Sequence, residues 1–446
     1  MSSPVKQVTE EGPAVGLAHY LAAAVLARTA DEGARVALII LALDRTGSAA
    51  VGGTLVATLL IPHVVAAPVV GALVDRARRP AAVLAGAIGV LAAGLAAPVA
   101  LLGHAPLWTT YVALALAGCC GPAVTGGLTS RLSGARAFAL DSLFYNVAAM
   151  AGPAVVGLVA AAAGPGAATL TLAVAAGTGA LGVATLRLPA SAAATRRLPS
   201  SGDAHRLRAT GGATRRRPSS GAAHRLRATG GATRRLRSSG AAARRLPASG
   251  SRPASGPARA AGLFDGARVI AKDPALRALT LTTAFGQLGP GGLAVAAAAR
   301  APERAGLLLS VVAGGAFAGS LLWAWRPLPA SRAPRVTAWA MVGFGIPLVV
   351  AAGVHSLPLT AALFGLAGVS TGPFVAALFL ARNQLSAESV RTQVFTIGAG
   401  MKVAAAALGA GLMGFAAHLP AGAQLLLVAA GPIVAGAALS RSNAID

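Results

Sequence analysis

The chain has 446 residues, of which 55% are hydrophobic and only 11% charged, whereas a soluble domain of ordinary composition carries about 25% charged residues. With a mean hydropathy of +0.68 it reads as a polytopic membrane protein, which excludes a soluble enzyme. The net charge of +25 suggests a nucleic-acid binder only until the 38 Lys and Arg are placed along the chain, and their placement removes that reading.

The first residues, MSSPVKQVTEEGPAV, are polar and lead into a long apolar segment, so no cleavable signal peptide is expected. A membrane helix needs about 20 mostly apolar residues. Polar and Pro-Gly breaks divide the chain into twelve such spans: 15–43, 50–74, 81–102, 107–130, 138–163 and 166–187, then 275–299, 305–325, 336–354, 357–381, 393–416 and 421–440. The expected fold class is an all-α polytopic protein with two six-helix bundles, 1–188 and 263–446, joined by a linker.

Span 1 contains LARTADEGARVALIILALDRTGS (26–48), with Arg28, Asp31, Glu32 and Arg35 inside an otherwise apolar helix. Charges at the bilayer centre cost at least about 2.5 kcal/mol each and persist where they pair or line a wet cavity. The spacing allows Arg28–Asp31 and Glu32–Arg35 at i,i+3, and Arg28–Glu32 and Asp31–Arg35 at i,i+4. Asp31 and Glu32 point about 100° apart, so only one of them faces a cavity squarely. Asp31 has an arginine one turn before and one turn after, which favours it as a proton carrier, with Glu32 as the other choice. A self-neutralised kink at a helix end is the structural alternative.

His63 in span 2 follows Pro62 and reads as a packing or hydrogen-bonded residue. Cys119 and Cys120 are adjacent within an apolar run and read as small packing residues. In RAFALDSLFYNVAAMAGPAVVG (136–157), Asp141 is either a buried acid or a cap near the entrance of span 5. Lys402 lies too deep in span 11 to snorkel easily, which points to a cavity-facing place. No residue pattern for a metal, a cofactor or a catalytic triad is present.

Residues 189–262 are low in complexity and hold 16 arginines. SSGDAHRLRATGGATRRRP (200–218) recurs as SSGAAHRLRATGGATRRLR (219–237), a period of 19. The copies have only isolated Leu residues and no core pattern, so a disordered linker is expected. It is either a tether for anionic lipid headgroups or a spacer, and its His205 and His224 are expected to be passengers.

With both termini in the cytoplasm, 16 basic residues outside the linker fall on the cytoplasmic side, including Arg76, Arg79, Arg131 and Arg382. Only Arg45, Arg300 and Arg304 fall outside. That asymmetry fixes the expected topology.

After span 2 the chain reads GALVDRARR (71–79), which resembles the signature of the major facilitator superfamily in Gly71, Leu73, Asp75, Arg76 and Arg79. Arg78 stands where the family has Gly, and Pro80 where it has a base. GSLLWAWRP (319–327) looks like a weaker second copy with Trp323 in place of the acid. The resemblance implies a cytoplasmic gate. Gly71 would let helices approach, Asp75 would bond the start of span 11, and Arg76, Arg79 and Arg131 would complete a charge network. MAGPAVVG (150–157) resembles the tail of the antiporter Gly-Pro motif in Gly152, Pro153 and Gly157, implying a seal between halves. Asp44, Thr46, Gly47 and Ser48 resemble the end of span 1 in the twelve-span drug:proton antiporter branch.

The expected function is therefore proton-coupled export of small apolar or amphipathic molecules, with a metabolite uptake permease as the alternative. The expected partners are a small-molecule substrate, protons and membrane lipid, without nucleic acid or cofactor. A monomer in the plasma membrane is expected.

Overall fold

The computed structural model describes residues 16–188, 262–301, 304–325 and 329–442. The Arg-rich linker, apart from Gly262, lies outside these residues, as do Arg326 and the first fifteen residues. All regular structure among the described residues is helical.

The first half contains α1 (Leu17–Thr46), α2 (Ala49–Arg76), α3 (Pro80–Leu101), α4 (Leu107–Pro122), α5 (Ala135–Ala163) and α6 (Pro165–Ala184). Helix α1 runs through its middle, with 15 of its 30 residues buried. That burial is why its charges are tolerated: they face protein, not lipid. Lipid tails are as apolar as Leu, so helices associate here by close packing of small residues. Ala23, Ala27, Ala30, Ala34 and Ala37 form a buried stripe at helical spacing. At Gly152 a Cβ would lie 2.5 Å from the Gly33 nitrogen, so α1 and α5 cross nearly backbone to backbone.

The Asp44–Ser48 segment is the end of α1 and its link to α2. Gly47 closes α1 in the left-handed region (φ 67°), and its N–H donates to the Leu43 carbonyl at 2.9 Å. Ser48 Oγ then accepts the Val51 N–H and caps α2. Pro80 stands at the first position of α3, where its fixed φ suits a helix start.

In the second half, a short helix α7 (Asp265–Lys272) precedes α8 (Pro274–Phe285), α9 (Leu288–Gly291) and α10 (Leu293–Arg300). The single span expected at 275–299 is thus broken in three. The run GQLGPGG (286–292) supplies the reason, because repeated Gly and an internal Pro cannot sustain one helical ladder. The remaining helices are α11 (Ala305–Trp325), α12 (Ala333–Gly353), α13 (Leu357–Val369), α14 (Thr371–Leu385), α15 (Arg391–Phe415) and α16 (Ala421–Ser440). The span expected at 357–381 is interrupted at Ser370, and its second part continues to Leu385.

Ten helical segments among the described residues are long and apolar enough to cross a membrane by length and composition. The two further expected spans are α1, which carries the charges, and the broken α8–α10 segment. The halves meet along two seams. On one, Thr396 Oγ1 of α15 donates to the Ala67 carbonyl of α2 at 2.8 Å. On the other, Ser142 and Asn146 of α5 reach the Gly372 carbonyl of α14 at 3.1 Å and Ser320 Oγ of α11 at 2.7 Å.

Candidate functional site

A cavity of about 270 Å³ lies between the halves. Glu32, Arg35, Thr125, Tyr145 and Asn146 border it from the first half. Gln287, Phe344, Phe374, Phe379, Arg382 and Lys402 are among the residues that border it from the second. Glu32 and Arg35 pair on one helical face at 3.1 Å. Asp31 is buried but does not border the cavity, and it makes no hydrogen bond or ion pair among the described residues. Lys402 borders the cavity, its Nζ 5.1 Å from the centre of the Phe374 ring.

The Arg28–Asp31 and Arg28–Glu32 pairs that the spacing allows do not form. Arg28 instead turns into the first half and makes a 2.7 Å ion pair with Asp141. Thr129 and Tyr20 also bond the Asp141 carboxylate, at 2.8 and 3.0 Å. Asp141 is therefore not a helix cap. It stands two turns inside α5, fully buried, where its charge balances Arg28.

Phe379 of the cavity wall packs into a cluster of three rings from three helices. Phe138, Phe379 and Phe395 have centroids 6.0 to 6.5 Å apart. A polar cluster joins α2 to α15. Asp75 accepts the Thr392 and Gln393 backbone N–H groups at 3.1 and 3.0 Å. These are among the first N–H groups of α15, which have no partner within the helix, and the helix dipole favours an anion there. Arg131, at the end of the short turn Thr129–Arg131, pairs with Asp75 at 2.9 Å and also donates to Thr392 Oγ1. Gln393 Oε1 accepts the Gly266 N–H of α7 at 2.8 Å.

The cluster needs backbones in contact. A Cβ on Gly71 would stand 2.5 Å from Gln393 Cα. A Cβ on Gly126 would meet the Thr396 nitrogen at 2.7 Å. Gly126 lies in a π-helical turn, Ala123–Gly127, that ends α4. Such turns are frequent at functional sites.

Asp75, Gly71 and Arg131 thus come together as expected. Arg76 at the end of α2 and Arg79 on the loop after it are both exposed, and Arg131 forms an ion pair with Asp75. Gly152 does not seal the two halves to each other. It packs on Gly33 and Thr29 of its own half, Pro153 continues α5, and Gly157 has nothing within 4 Å of where a Cβ would stand. Arg382, placed by sequence on a cytoplasmic flank, is instead 1% exposed on the cavity wall, because α14 runs one turn further than its hydropathy suggests. The phenylalanine cluster has no sequence signature, since isolated Phe residues in apolar spans do not reveal which way they face.

The model of the Major Facilitator Superfamily matches residues 20–288, and the chain belongs to that family. No curated protein matches it by sequence. Three solved structures share the fold at low identity. A bacterial homologue of the iron transporter ferroportin, in an outward-facing state, has a TM-score of 0.62 at 14% identity, covering 95% of this chain and 98% of its own. The human organic anion transporter MFSD10 (TETRAN) has a TM-score of 0.61 at 13% identity, over 95% and 98%. The E. coli fucose:proton symporter FucP (N162A) has a TM-score of 0.63 at 11% identity, over 96% and 99%.

Proposed function

We propose that this secondary transporter exports small amphipathic molecules in exchange for protons, its two halves rocking about the central cavity. The observation that carries the reading is the Glu32–Arg35 pair, held at 3.1 Å on the wall of a cavity between the halves. A carboxylate paired with a fixed cation in one conformation and protonated in the other couples proton movement to the exchange. Among the described acids that border the cavity, Glu32 stands alone, so it, and not Asp31, is the carrier in this account.

The positive-inside asymmetry supports cytoplasmic termini in a plasma-membrane protein. In that orientation the Asp75 latch closes the cytoplasmic side. The cavity wall, with few Asn, Gln or Trp, suits amphipathic cargo better than a sugar. The chain acts as a monomer, and the linker serves as a spacer between the halves.

Expression in a pump-deficient bacterial host, scored against a panel of growth-inhibiting compounds, tests the direction. An exporter lowers susceptibility to some of them. Raised susceptibility, or no change across the panel, contradicts export and favours the uptake permease.

A further inference from the structure

Four charged residues border the central cavity, and only two of them cancel. Glu32 and Arg35 form their own ion pair. Arg382 and Lys402 remain, and neither has an ion-pair partner among the described residues. The arginine is 1% exposed, and its Nε and Nη2 atoms are buried without a hydrogen-bond partner. A guanidinium stays charged at any physiological pH, and a lone charge at this depth is costly unless a partner arrives.

The two cations share one wall. The guanidinium of Arg382, on α14, lies against Gly398 of α15, where any added Cβ would collide with it. Lys402 is four residues further along α15, on the same helical face. Both charges border the same cavity, so each raises the cost of leaving the other without an anion. Around them the wall turns apolar and aromatic, with Met341, Phe344 and Phe374.

We propose that the substrate is a compact amphipathic organic anion, its carboxylate, sulfonate or phosphate seated between Arg382 and Lys402 and its apolar body against Met341, Phe344 and Phe374. Arg382 supplies donors in a fixed fork that suits such a group, and Lys402 a point charge. The cavity of about 270 Å³ sits just below the roughly 300–1,000 Å³ of ordinary small-molecule sites, which selects a body of one or two rings over a large macrocycle. The inference rests on reading this cavity as the transport site, and not on the direction of transport or its coupling to protons.

The test is equilibrium binding of radiolabelled naphthoate to the purified full-length protein in nanodiscs, at one pH and with no gradient. Naphthalenesulfonate and naphthyl phosphate serve as anionic competitors, and naphthamide and naphthylmethylamine as neutral and cationic ones. The expected result is competition by the anions and at least tenfold weaker competition by the amide and the amine. Arg382→Gln and Lys402→Gln should each weaken anion binding by about 30-fold or more, while Arg382→Lys retains part of it. The comparison of anion with amide on the unaltered protein holds even if a variant fails to fold. Absence of binding by all three anions, equal binding of amide and anion, or unchanged affinity in both Gln variants would overturn the proposal. Anion binding without gradient-driven transport would refute the proton-coupling reading and leave this one standing. Gradient-driven transport by a protein that does not discriminate anion from amide would do the reverse.

Discussion

Arg28 and Asp141, 113 residues apart, form a forked ion pair inside the first half: Nη1 lies 2.7 Å from Oδ1 and Nη2 3.2 Å from Oδ2. Both side chains are buried, so the pair is a structural clamp between α1 and α5 and holds no water-facing proton site. Removing one partner leaves a buried charge alone, at about 3–5 kcal/mol. Asp141→Asn should therefore lower the thermal midpoint in detergent sharply, as should Arg28→Gln. The double change Arg28→Met with Asp141→Leu should recover part of that loss, because it removes both charges together. A midpoint unchanged in Asp141→Asn would show that the pair carries no stability.

The latch predicts a conformational shift. Asp75→Asn keeps the shape but loses the ion pair with Arg131 and weakens two charge-assisted hydrogen bonds, a loss of about 1.5–3 kcal/mol. That is about 10- to 150-fold in the equilibrium between open and closed at the α2–α3 loop end. Spin labels at the exposed positions Arg78 and Arg332, after Cys119 and Cys120 are replaced, should report a longer distance in the variant. An unchanged distance distribution would remove Asp75 from the latch.

Two glycines of the recognised motifs should behave in opposite ways. Gly71→Ala places a methyl group against the Gln393 backbone, which cannot yield as a side chain would. It should open the same end as Asp75→Asn does in the spin-label measurement. Gly157→Ala meets nothing within 4 Å and should match the unaltered protein in stability and transport. Equal behaviour of the two variants would contradict the packing account.

Local patterns in the sequence carry much of this arrangement, and long-range partners do not. The span pattern, the Asp75 contact with the start of span 11 and the Glu32–Arg35 pair all depend on short spacings or on one motif. The Arg28–Asp141 clamp could not be read from i,i+3 and i,i+4 spacing, because its partner comes from another helix. Arg382 near the end of an apolar run looks the same whether it points to water or into a cavity. Hydropathy places a residue along a helix axis and not around it. The same limit applies to Asp31 and Glu32, since flanking arginines favour the first and the cavity wall holds the second.

The linker makes a prediction from sequence alone. Residues 200–247 carry a repeat with no apolar periodicity and cannot bury a core. Their deletion should leave membrane insertion and transport near the unaltered level. Loss of either, measured in membranes and in whole-cell susceptibility, would assign the arginines a role beyond connection.

The central claim is that Glu32 carries the coupled proton. Its direct test is transport in proteoliposomes, with and without an imposed pH gradient, of a compound to which expression of the protein lowers susceptibility. Glu32→Gln should lose gradient-driven accumulation and retain substrate exchange at zero gradient, while Asp31→Asn keeps gradient-driven accumulation. Gradient-driven accumulation at the unaltered rate in Glu32→Gln, or its loss in Asp31→Asn alone, would contradict the account.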